Sequence, residues 1–118
     1  MDGTKKGSYL GTELGGSWWR RYRSHGFFAR GNGELWLDSE GLHFRKYLTR
    51  TPLSISWQEM TGARLGTWHA GAWGASRPVL KIDFERDGLT LSAGFILSKS
   101  WQAMEQLAAD LRRRIAPT

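Results

Sequence analysis

Cysteine is absent from these 118 residues, which excludes a disulfide framework, a thiolate metal centre and a thiol nucleophile. No run approaches the roughly 18 apolar residues that a membrane-crossing helix needs. The first twenty residues also lack the apolar core of a secretory signal. A soluble, cytoplasmic chain is therefore expected. Catalytic signatures are missing too: there is no nucleophile elbow, no H-E-x-x-H, and no glycine-rich phosphate cradle between a strand and a helix. His25, His43 and His69 stand too far apart in sequence for a local metal motif. Neither an enzyme, a cofactor nor a metal ion is expected. Signatures of the common RNA- and DNA-binding modules are also lacking, so nucleic acid is not an expected partner.

What is present is aromatic, basic and rich in glycine. The net charge of +6 is uneven along the chain. Residues 17–50 carry seven cations against three acids and residues 98–118 four against two, while the remaining segments balance. Such an excess speeds encounters with phosphate-rich partners, and it also keeps a small protein soluble. One domain is expected at this length. Residues 1–16 hold five glycines among polar residues and read as a flexible leader before a domain over 17–118.

From Gly33 the pattern is that of strands. Leu35 and Leu37 alternate with Glu34, Trp36 and Asp38, and after Ser39-Glu40-Gly41 the residues Leu42 and Phe44 alternate with His43 and Arg45. Two segments of period two around a glycine-containing turn predict a β-hairpin. Leu53, Ile55 and Trp57 share a face after Pro52, and another strand is expected over 61–68. Leu80, Ile82 and Phe84 then alternate with Lys81, Asp83 and Glu85, and Asp87-Gly88 signals a two-residue turn into Leu89, Leu91, Ala93, Phe95 and Leu97. Closely spaced strands with hairpin signals between them imply antiparallel pairing. The period then changes. Trp101, Met104, Ala108, Leu111 and Ile115 form one helical stripe that Ser98 or Ser100 can cap, with Arg112, Arg113 and Arg114 complementing the dipole in the last turns. The expected fold is mainly β, a partly open barrel or a pair of orthogonal antiparallel sheets, covered by one C-terminal α-helix.

This arrangement resembles the pleckstrin-homology-like (PH-like) superfold, in particular its bacterial PH and GRAM-like members. The resemblance is carried by the run from Gly33 to Phe44, similar to an opening hairpin of the form G-x-L-x-L-T-x-x-x-L-x-F, and by the run from Leu53 to Gly62, similar to a strand and turn of the form I-P-W-x-x-I-x-x-V. It implies a PH-like barrel with a terminal helix and a non-enzymatic interaction module. Phosphoinositide-binding members place Lys and Arg around the first hairpin loop. Here that loop, Asp38-Ser39-Glu40-Gly41, is acidic and opposes that use.

Two stretches are candidate sites. Trp68, His69, Trp73 and Arg77 lie in a loop of small residues, where the indoles either form a recognition surface for a protein or peptide or fold back over an open end of the sheets. Trp18, Trp19, Arg20, Arg21 and Arg23 mix indoles and cations as membrane-interface segments do, or else pack on the domain with the arginines solvated. The primary expectation is a protein- or peptide-binding module acting through the Trp-rich loop or an exposed strand edge. The alternative is a module for anionic lipid or a phosphate-bearing ligand, acting through the aromatic-basic stretch. Arg45, Lys46 and Arg50 can join Arg112 to Arg114 only if the fold brings them together. The oligomeric state is open.

Overall fold

A computed structural model describes residues 4–14, 17–21, 31–69, 72–73 and 77–115. Among the described residues ten strands precede one helix: β1 (Lys5–Leu14), β2 (Ser17–Arg21), β3 (Gly31–Leu37), β4 (Gly41–Lys46), β5 (Leu53–Ser56), β6 (Met60–Gly66), β7 (Trp68–His69), β8 (Ala72–Trp73), β9 (Val79–Arg86), β10 (Leu89–Ile96) and α1 (Trp101–Arg114). Seven strands make one antiparallel path in the order β5-β4-β3-β1-β10-β9-β6. The fold is mainly β with a C-terminal helix, as the alternation predicts.

The first strand overturns the expectation of a loose leader over 1–16. β1 lies in the middle of the sheet. It pairs with β10 on one side (Ser8 with Ile96, Leu14 with Leu91). On its other side it pairs first with β3, over Lys5 to Tyr9, and then with β2, at Glu13 and Leu14. Tyr9 is fully buried in the main core, its ring centroid 5.5 Å from Phe95 and 6.2 Å from Phe44. Leu10 is buried on the opposite face with Val79 and Ile96. Gly7 explains part of the glycine content: a Cβ there would stand 2.3 Å from the Ile96 carbonyl oxygen, so only glycine lets β10 come this close.

The sheet is not closed into a barrel. β5 and β6 are the two ends of this path, yet only the turn over residues 57–59 separates them in sequence, so the sheet bends until these ends meet at one corner. Side chains bridge that corner. Arg86 Nη2 donates to the Ser54 carbonyl of β5 at 2.6 Å, and Arg112 Nη1 donates to the Ala63 carbonyl of β6 at 2.8 Å. Each edge thus has a carbonyl taken by an arginine, which blunts it against pairing with another strand.

Ser100 caps α1, its side chain accepting from Ala103 N at 3.1 Å, and the helix packs against β6. Met104, Ala108 and Leu111 are buried as the stripe predicts. Trp101 is the exception and is exposed. The strand expected over 61–68 is two: β6 ends at Gly66, Thr67 forms a bend, and β7 follows. No helix among the described residues is long and apolar enough to cross a membrane.

Candidate anion-binding cleft

Five elements converge on a cleft of about 400 Å³. β1 contributes Lys6 and Ser8, the start of β3 Asn32, the turn after β4 Tyr47, and the segment before β9 Arg77. The link from β10 to α1 contributes Ser98 and Lys99. Among the described residues that line it none is acidic, and Lys6, Arg77 and Lys99 bring three cations to it. The neutral groups are set as donors. Ser8 Oγ donates to Asn32 Oδ1 at 2.6 Å, which leaves the Asn32 amide nitrogen to donate. Ser98 Oγ accepts from Ser100 N at 3.0 Å, which leaves its hydroxyl proton for another acceptor. Tyr47 N donates to the Asn32 carbonyl at 3.0 Å and fixes the wall on which the half-exposed Tyr47 stands. Cations and neutral donors around this hollow suit an anion, since each contact is charge-assisted or donates toward negative charge.

Other polar clusters are occupied by their own structure. His43 bonds Ser54 Oγ through Nδ1 at 2.7 Å and Asp38 Oδ1 through Nε2 at 2.9 Å, and it stacks on Trp36 at 5.3 Å. Asp38 Oδ1 also accepts from the amides of Glu40 and Gly41. These bonds, the one to His43 foremost, hold the Asp38 carboxyl below its usual pKa. Asp38, Glu40 and His43 bring their ligand atoms within 4.8 Å of one another. A cation there would have to displace the bonds that shape the turn. At the sheet corner Glu59 takes a two-pronged contact from Arg86, Nε to Oε2 at 2.8 Å and Nη2 to Oε1 at 2.9 Å. It also accepts from Ser56 N at 3.0 Å. The Arg86 hydrogen bonds lead in pulling its pKa down to about 2, against the opposing effect of burial. Arg64 grips Asp83 in the same forked way on the outer face.

The residues singled out from sequence are distributed over three places. Trp68 and His69 form β7 and Trp73 belongs to β8, with Trp68 directly opposite Trp73; the side chains of all three lie outside the described residues. Arg77 is exposed and lines the cleft. Trp18, Trp19, Arg20 and Arg21 form β2, beside the C-terminal end of β1. Their side chains, and Arg23 altogether, lie outside the described residues. Six residues of strand separate Ser8 from Leu14, roughly 20 Å at about 3.3 Å per residue, so the backbone of β2 lies well away from the cleft.

Two basic groups that could have joined are engaged separately. Arg45 reaches the Thr49 carbonyl and Glu34, Arg112 the Ala63 carbonyl, and Arg113 Asp110, while Arg114 lies over the Trp57 ring. Sequence reasoning missed Lys6, Ser8, Asn32, Tyr47, Ser98 and Lys99. Two of these sit in the stretch read as a leader, and nothing periodic marks the others as neighbours. No family model matches the chain, and no curated protein matches it significantly.

Proposed function

We propose that this chain is a non-enzymatic module that binds an anionic, phosphate-bearing ligand in the cleft between β1, the end of β10 and the β10–α1 link. The observation that carries the reading is the set of Lys6, Arg77 and Lys99 around a hollow lined by Ser8, Asn32 and Ser98 and, among the described residues, by no acid. The reading moves the anionic site from the aromatic-basic stretch of β2 to residues at the other end of β1. A PH-like assignment belongs to the same proposal. Seven antiparallel strands followed by one terminal helix are what that resemblance implies. A binding role is favoured over catalysis because the ionisable groups that approach one another, His43 with Asp38 and Glu59 with Arg86, serve a turn and a corner. A cytoplasmic site of action rests on the lack of cysteine.

The strand-addition form of the protein-partner reading is weakened at β5 and β6, where arginines occupy an edge carbonyl of each. The Trp-rich loop supports a second reading, because the backbones of Trp68 and Trp73 pair in register across a short hairpin. A Trp73→Ala variant that melts like wild type yet loses a captured protein would favour it.

The test of the primary reading is calorimetric titration with inorganic phosphate at low ionic strength. Binding is expected to weaken with added salt. Lys6→Glu or Lys99→Glu is expected to weaken it at least about fivefold, about 1 kcal/mol. Phosphate binding that is absent, or indifferent to both variants, defeats the proposal.

A further inference from the structure

The basic cleft does not end at Leu97. It shares Lys6, Leu97 and Ser98 with a second hollow, of about 570 Å³, that runs between α1 and strands β1 and β3. This trough has an apolar floor of Leu35, Leu37, Leu97, Met104 and Leu107. Leu35, Leu37 and Met104 belong to the main core, and Leu97 and Leu107 pack on it half-buried. The one acid among its described lining residues, Asp110, pairs with Arg113. Each hollow lies within the roughly 300–1,000 Å³ of small-molecule sites. The shared Lys6, Leu97 and Ser98 set a trough with an apolar floor beside the cationic cleft.

A polar anion such as phosphate fills only the basic part, and a neutral apolar molecule only the trough. We infer that the ligand is a single-chain amphiphile: a linear alkyl or acyl chain with an anionic head. The head meets Lys6, Lys99 and Arg77, and the chain lies along the helix over Leu97, Met104 and Leu107. The inference rests on the anion-binding reading and names the class of its ligand. Charge selects the head end, because Lys6, Lys99 and Arg77 line it and no acid does among the described residues. Length is selected by the trough, where each methylene withdrawn from water adds affinity.

Calorimetry with inorganic phosphate, decyl phosphate below its micelle concentration and 1-decanol tests this on the full chain. Decyl phosphate is expected to bind at least about tenfold tighter than inorganic phosphate, and tighter than decanol. Ala103→Trp, at an exposed helix position lining the trough, is expected to remove the advantage of the chain and leave inorganic phosphate binding intact. Lys6→Glu is expected to weaken both phosphates. Equal affinity for the two phosphates overturns the amphiphile while sparing the anion site, and binding of neither overturns both. Decanol binding as tightly as decyl phosphate shows that the head is not read and overturns the inference. Sedimentation with phosphatidylglycerol vesicles, combined with no gain for decyl phosphate, would assign the site to a bilayer surface instead.

Discussion

Replacing Glu59 with Gln removes the charge that ties the sheet's corner together, and its cost must depend on pH. The Glu59 carboxyl holds both Arg86 nitrogens and the Ser56 amide, while Arg86 extends to the β5 carbonyl of Ser54. A pKa lowered from 4.5 to about 2 corresponds at face value to about 3.4 kcal/mol at neutral pH, at 1.36 kcal/mol per unit. Both side chains are partly solvated, Glu59 26% and Arg86 17% exposed, so screening reduces this to roughly 2 kcal/mol.

The folded state favours the ionised carboxylate. The stabilisation is therefore complete above the unfolded pKa, declines as pH falls below about 5, and is nearly gone at about 2. Urea unfolding of wild type and Glu59→Gln, followed by far-ultraviolet circular dichroism at several pH values from 7 to 2.5, reads the difference directly. Asp38 and the other carboxylates are common to both proteins and cancel. A difference of about 2 kcal/mol at pH 7 that shrinks with acid is expected. A difference that stays constant across the range, or none at pH 7, refutes the ion-pair account of the corner.

Gly7→Ala places a Cβ against the Ile96 carbonyl and is expected to cost about 3 kcal/mol by overpacking; a thermal melt unchanged from wild type would return residues 1–16 to a loose leader. Ser100→Ala removes the acceptor for Ala103 N and should cost about 1 kcal/mol, with Ser100→Asp restoring most of it, as denaturant midpoints will show. Arg112→Met frees the Ala63 carbonyl on the β6 edge. It should raise concentration-dependent self-association in sedimentation velocity, and a variant that stays monomeric at all concentrations contradicts the blocking role.

Where side chains divide cleanly between core and solvent, the sequence was readable. Leu35, Leu37, Leu42 and Phe44 are buried while Glu34, Trp36, His43 and Arg45 are not. Asp87 and Gly88 adopt φ of 54° and 75°, the pair of left-handed residues that a tight hairpin turn requires. The helix stripe and its Ser100 cap were legible for the same reason. β1 was not, because its pairing does not alternate. Residues Tyr9 to Glu13 are all buried, with the main core on one face and Leu10, Val79 and Ile96 on the other. At Gly7 close backbone approach replaces any side-chain signal. The cleft was illegible in turn, since Lys6, Asn32, Arg77 and Lys99 become neighbours only once β1 is inserted between β3 and β10.

The most direct test of the cleft is a map of backbone amide shifts on titration with inorganic phosphate against chloride at matched ionic strength. The account predicts that the amides of Gly7, Ser8, Asn32, Ser98 and Lys99 move together and saturate while those of β2, Ser17 to Arg21, stay still. Shifts confined to β2, or a diffuse response that follows ionic strength alone, would contradict it.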